Sequence, residues 1–69
     1  MIINDLAEIL KVSPESLTGE CGLGSIAQWD SVAQIDIMMY LEKNYNIEIN
    51  ESSLDIYSTL KNILALENS

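Results

Sequence analysis

The chain contains no histidine, no arginine and no phenylalanine, and it has only one cysteine and one proline among 69 residues. Without histidine, a serine–histidine or cysteine–histidine nucleophile pair cannot be assembled within this chain. The lone Cys21 excludes an intrachain disulfide and a multi-cysteine zinc site. We therefore predict a protein that is not an enzyme and has neither catalytic residues nor a metal site.

Positive charge is also scarce, since three lysines face 11 acidic residues and the net charge is −8. Nucleic acids and anionic membrane surfaces are disfavoured as partners because both attract cations. Proteins with basic patches are favoured, because the acidic field steers their encounter. No apolar run approaches the ~20 residues that span a bilayer, and the first residues lack the basic region of a signal peptide. We expect a cytoplasmic monomer, and the single cysteine fits a reducing compartment.

The composition favours a small helical domain. Hydrophobic residues make up 48% of the chain, which is too many for a disordered tail. Three glycines and one proline are too few for a turn-rich sandwich. We predict an all-α fold, a single domain over residues 1–69 built as a bundle of three main helices plus one or two short helical turns. Its expected core contains Leu6, Leu10, Ile37, Met38, Leu41, Leu60, Ile63 and Leu64.

The first half of the chain predicts one helix, one turn and a loop. Apolar residues at helical spacing begin at Ile2, and the helix is expected to end near Lys11. Ser13 is the expected N-cap of a short turn that has Pro14 at its first position. All three glycines fall in the following loop, for which we predict Leu23 and Ile26 as anchors into the core.

The second half predicts the longest helix and two shorter ones. The longest helix is expected to begin at Ser31, with Asp30 as N-cap, and to end at about Asn44 or Tyr45. Residues 50–53 are expected to cap a short helix that contains Leu54 and Ile56. Ser58 is the expected N-cap of the last helix.

The helix that begins at Ser31 has more apolar residues than one core-facing stripe requires. Ile37, Met38, Leu41 and Tyr45 share one sector, which is the expected core face. A second stripe contains Val32, Ile35 and Met39, with Asp36, Glu42 and Lys43 near its edges. Two neighbouring elements could bury both stripes, but a domain this small arranges that with difficulty. The alternative is an exposed stripe, rimmed by charge, that docks a protein partner.

Ser31 itself allows two readings. Serine is a common N-cap, so its hydroxyl could serve only to cap the helix. Asp30 can supply that cap instead, however, and would leave the Ser31 hydroxyl open to a modifying enzyme. A phosphodiester at this position would be stabilised by the free N–H groups and the positive dipole end of the helix.

Trp29-Asp30-Ser31-Val32 and the helix that follows resemble the acyl carrier protein family, whose hallmark is Asp-Ser-Leu at the start of its second helix. In the family this helix ends in Glu-Glu-aromatic-Gly/Asp-x-Glu-Ile, which residues 42–49 (EKNYNIEI) approach. The likeness extends to Ser58-Thr59-Leu60, where the family commonly has Thr-Thr-Val, and to residues 13–18. It thus covers nearly the whole chain, and implies a single carrier domain with an acyl-carrier-protein-like bundle.

The resemblance implies that Ser31 accepts 4′-phosphopantetheine from coenzyme A through a phosphopantetheinyl transferase, with Asp30 as part of the motif. The terminal thiol of this covalent cofactor would hold an acyl or aminoacyl group as a thioester. An acyl- or aminoacyl-loading ligase and downstream transferases with basic patches would be the further partners. Their implied contact positions are Val32, Ile35, Asp36, Met39 and Glu42.

Several positions depart from the family pattern. Val32 replaces the leucine of the motif, while Ala33 and Lys43 stand where carriers of fatty acid synthesis often have acids. Together with Trp29, these departures favour a specialised biosynthetic pathway over fatty acid synthesis. The alternative hypothesis is a small helical interaction module, or degenerate carrier, in which Ser31 only caps a helix.

Overall fold

The computed structural model describes residues 2–18 and 20–68. In those ranges it contains α1 (Ile2–Leu10), a 3-10 turn (Pro14–Ser16), α2 (Ser31–Tyr45), α3 (Glu51–Ile56), α4 (Leu60–Leu64) and a second 3-10 turn (Ala65–Asn68). The described residues form no strand, and one isolated antiparallel bridge joins Gly22 to Thr59. The all-α prediction is confirmed. None of the described helices is long and apolar enough to cross a membrane.

The core is formed by α1, α2 and α4. Of the eight predicted core residues, all are buried except Leu64, which is half-buried because it lies near the end of the short α4. The core also contains residues that the sequence did not predict for it, namely Ile2, Ala7, Leu17, Cys21, Trp29 and Ala33. Trp29 is the largest of them and is fully buried. It lies immediately before the α2 N-cap, so it fixes the entry of α2 into the core.

The end of α1 has a lysine in a left-handed conformation. The N–H of Lys11 donates to the Glu8 carbonyl (3.2 Å) and that of Val12 to the Ala7 carbonyl (3.0 Å), the two bonds of a Schellman motif. Lys11 has φ of 60°, although this position usually holds glycine. The helix therefore ends at Leu10, close to the predicted end.

The glycine-containing loop is attached to the connection between α3 and α4 through its backbone. The Leu23 N–H donates to the Ser58 carbonyl (2.7 Å), and the Leu60 N–H donates to the Cys21 carbonyl (2.9 Å). The prediction of Leu23 as a core anchor is wrong, because the side chain is 47% exposed. Ile26 is half-buried and packs against the core as expected. Backbone pairing thus does the anchoring that we expected of the Leu23 side chain.

Because of the same backbone pairing, the last helix begins later than we predicted. The N-cap of α4 is Thr59, and the prediction of Ser58 is wrong by one residue. Ser58 instead uses its carbonyl for the loop, while its hydroxyl donates to the Asp55 carbonyl (2.6 Å). Ser58 therefore belongs to the end of α3 rather than to the start of α4.

Candidate functional site

The start of α2 leaves the Ser31 hydroxyl available. Asp30 has an extended backbone, and its Oδ1 accepts the Ala33 N–H at 2.9 Å, so the predicted Asp30 cap is confirmed. Ser31 is the first residue of the 15-residue helix and is exposed. Within the described ranges, no hydrogen bond to the Ser31 hydroxyl is present. Asp30 thus caps the helix, and the adjacent Ser31 has a hydroxyl that is free of hydrogen bonds to the described residues.

Trp29 and Gln34 form a buried polar network behind Ser31. The indole Nε1–H of Trp29 donates to Gln34 Oε1 at 2.7 Å. Gln34 Nε2 donates to the Tyr57 carbonyl (2.9 Å) and, more weakly, to the Leu54 carbonyl (3.4 Å). Gln34 is only 4% exposed, so an unpaired amide there would be costly. The network fixes the first turn of α2 against the C-terminal end of α3.

A groove of about 420 Å³ opens beside Ser31 between α2 and α3. Leu23, Ile35 and Leu54 provide its apolar surface. The polar lining consists of Ser31, Gln34 and Ser58, together with the carboxylates Glu51 and Asp55. The predicted site residues Ser31 and Ile35 therefore meet here, on the wall formed by α2.

The second apolar stripe of α2 is exposed, as one of the two sequence readings predicted. Val32 is 69% exposed, Ile35 47% and Met39 50%, whereas Ile37, Met38 and Leu41 on the other face are fully buried. Asp36 and Glu42 are also exposed. The interpretation of this stripe as exposed is confirmed, while a role of the stripe in binding partners stays a prediction.

The acidic side chains and the single cysteine are the remaining groups that could bind a metal ion. Among residues 2–18 and 20–68, no group of three or more cysteine, aspartate or glutamate side chains could hold a metal ion. The Cys21 thiol is buried and accepts the Thr18 N–H at 3.4 Å. It does not line the groove.

Six residues that line the groove were not predicted as site residues: Leu23, Gln34, Glu51, Leu54, Asp55 and Ser58. One of them had a signal in the sequence. Gln34 lies three and four residues before Ile37 and Met38, so it is a polar residue on the core stripe of α2. Such a residue has to find buried partners. Gln34 finds them in the Trp29 indole and in the Leu54 and Tyr57 carbonyls at and just beyond the end of α3.

No protein-family model matches the chain, and no curated protein sequence matches it significantly.

Proposed function

We propose that this protein is an acyl carrier protein-like domain whose Ser31 hydroxyl is the attachment point of 4′-phosphopantetheine. The observation that supports this most is that Asp30, and not Ser31, caps the start of α2. Asp30 caps the helix through Ala33, so the exposed Ser31 hydroxyl has no structural bond to give up. Both the resemblance to the carrier motif and this geometry support the proposal at Ser31.

The surroundings of Ser31 fit the proposed group. A phosphodiester on this hydroxyl would lie at the N-terminal end of a 15-residue helix, where the first N–H groups lack intrahelical partners. The adjacent groove, with Leu23, Ile35 and Leu54, offers apolar surface to whatever extends from the serine. When bound, the group supplies the terminal thiol that holds acyl or aminoacyl cargo as a thioester.

The attachment step requires only a nucleophile from this chain. Ser31 Oγ attacks the phosphorus of coenzyme A that bears the pantetheine, and a new P–O bond forms. The pyrophosphate P–O bond breaks and releases adenosine 3′,5′-bisphosphate, while the serine proton passes to a base on the transferase. This chain therefore needs no histidine, and it would act as the substrate of partner enzymes rather than as an enzyme.

The exposed stripe of α2 supports contacts with those enzymes. Val32, Ile35 and Met39 present apolar surface within one to eight residues of Ser31, with the carboxylates of Asp36 and Glu42 close by. An enzyme that reaches Ser31 can pack on this stripe and place basic residues against the carboxylates. The net charge of −8 favours such partners over acidic ones.

The test is modification by a broad-specificity phosphopantetheinyl transferase with coenzyme A, read by intact mass. We expect a gain of one phosphopantetheine on the wild-type protein and none on Ser31→Ala. Ser52→Ala is the matched control, since Ser52 is an exposed serine in the first turn of α3. Modification that persists in Ser31→Ala, or fails in the folded wild type, refutes the proposal. In the second case the exposed stripe would favour the alternative, a helical interaction module.

A further inference from the structure

The helix α3 is held in place mainly by groups outside its own hydrogen-bond ladder. It has six residues, far fewer than the ~12–15 at which an isolated helix becomes even marginally stable. At its N-terminus, Asn50 and Ser53 form a reciprocal capping box. At its C-terminus, side-chain amides from two other helices bind the last carbonyls. The position of α3 therefore depends in part on those amides.

The two amides differ in their exposure to solvent. Asn62 Nδ2 of α4 donates to the Ile56 carbonyl at 2.8 Å in an exposed bond. Gln34 Nε2 of α2 donates to the Tyr57 and Leu54 carbonyls in part-buried bonds. Both amides satisfy carbonyls at or just beyond the end of α3. Only Gln34 lines the groove beside Ser31.

The orientation of the Gln34 amide is fixed by its partners. The Trp29 indole can only donate, so it requires the amide oxygen, and the two carbonyls can only accept, so they require the amide nitrogen. Every buried side-chain nitrogen and oxygen among the described residues has a partner. A carboxylate in place of this amide would face two carbonyl oxygens with no proton to donate.

From these contacts we infer that Gln34 is a positioning residue, which holds α3 against α2 and thereby sets the width of the groove that receives the Ser31-linked arm. This inference rests on the proposed function. Ser31 and Ile35 of α2 line one side of the groove. The other side is lined by Leu54 with Glu51 and Asp55 of α3, and by Ser58 just beyond that helix. The Gln34 amide joins the two walls at their base.

The test compares Gln34→Glu with the wild type by hydrogen exchange and by methyl NMR. At neutral pH we expect the protection factors of the Leu54 and Tyr57 amides against exchange to fall about ten-fold, because α3 loses its buried donor. Protonation of the new carboxyl restores one O–H donor, so acidification to about pH 5 should recover part of this protection, since burial raises the pKa of such a carboxyl. The wild type should show no such recovery.

The second readout is the change in the Ile35 and Leu54 methyl signals when phosphopantetheine is attached. We expect a clear change in the wild type, a severalfold smaller one in Gln34→Glu at neutral pH, and partial recovery on acidification. Asn62→Asp is the matched control, because it removes a donor from the same helix end without changing the groove lining. It should leave the methyl changes at the wild-type level.

Gln34→Met keeps the length of the side chain without a donor, and it provides the same comparison if Gln34→Glu does not fold at neutral pH. This inference alone is overturned if the methyl changes in the Gln34 variants equal those of the wild type after attachment has been verified by mass. Failure of the wild type to accept the group overturns the proposed function, and this inference with it.

Discussion

Gly22 lies against the Ser58 carbonyl oxygen so closely that a β-carbon on Gly22 would be 2.8 Å from that oxygen. The contact is with backbone, which cannot rotate away as a flexible side chain could. It occurs where the Leu23 N–H donates to the same carbonyl. A glycine is therefore required at this point for the loop to pair with the connection after α3.

Gly22→Ala should destabilise the protein by ~1–3 kcal/mol, because the added methyl group forces the loop away from Ser58. Urea unfolding followed by far-ultraviolet circular dichroism measures the change. Gly24→Asn is a suitable control, since a β-carbon at Gly24 meets nothing within 4 Å and asparagine tolerates the positive φ there. An unchanged midpoint for Gly22→Ala would show that the loop is not held against this carbonyl.

Lys11→Gly should stabilise the protein by as much as ~1 kcal/mol. Lys11 occupies the left-handed position of the Schellman motif after α1, where a β-carbon is unfavourable and glycine is not. Asn46→Gly is the comparison, because Asn46 has φ of 57° after α2 and asparagine already tolerates that conformation. The gain in unfolding free energy should be larger at Lys11, and the reverse order would contradict this account of the two helix ends.

Met38 and Met39 are adjacent residues of one type with opposite environments, since Met38 is fully buried and Met39 is 50% exposed. Met38→Ala should cost ~2–5 kcal/mol of stability. Met39→Ala should leave stability nearly unchanged but weaken transfer of phosphopantetheine to Ser31, mainly by faster dissociation of the transferase. Asp36→Lys should instead slow association and reduce its dependence on salt.

Stability should decline above pH 10 because of Tyr40. Desolvation, followed by the hydrogen bond from its hydroxyl to Asp5 Oδ2 (2.6 Å), raises the pKa of Tyr40 well above the ordinary 10.0. A phenol whose pKa is raised by folding contributes stability that is complete below the unfolded pKa and is lost as the pH rises through the folded pKa. Tyr40→Phe should flatten the decline of the urea midpoint above pH 10. Tyr57→Phe, the control, should retain it.

The sequence was sufficient where the signal lies within one element. Asp30 was identified as a cap because capping depends on residues three apart, and the exposed stripe of α2 followed from helical spacing and the size of the domain. Prediction from the sequence failed where a contact between distant residues determines the local structure. Leu23 and Ser58 were misplaced because a backbone pairing across 35 residues fixes both.

The groove is also a feature that depends on contacts between distant residues and could not be predicted from the sequence. Only Ser31 and Ile35 among its lining residues were predicted as site residues, because its other wall is placed by α3. Burial of Trp29 was also missed, since its acceptor on Gln34 becomes evident only once the loop has turned into α2. In the sequence Trp29 was interpreted as part of a motif, whereas in the fold it is part of the core.

Trp29 is the only tryptophan of the chain, and it is fully buried two residues before Ser31 with its indole nitrogen bonded to Gln34. The protein thus contains one tryptophan fluorophore, which can be excited selectively over its three tyrosines, at the junction of α2 and α3. Its emission reports the local polarity, so a shift to longer wavelength would register separation of these helices before the rest of the molecule unfolds. The proposed attachment at Ser31 and the proposed loading of cargo could each be followed by this emission, without any added label.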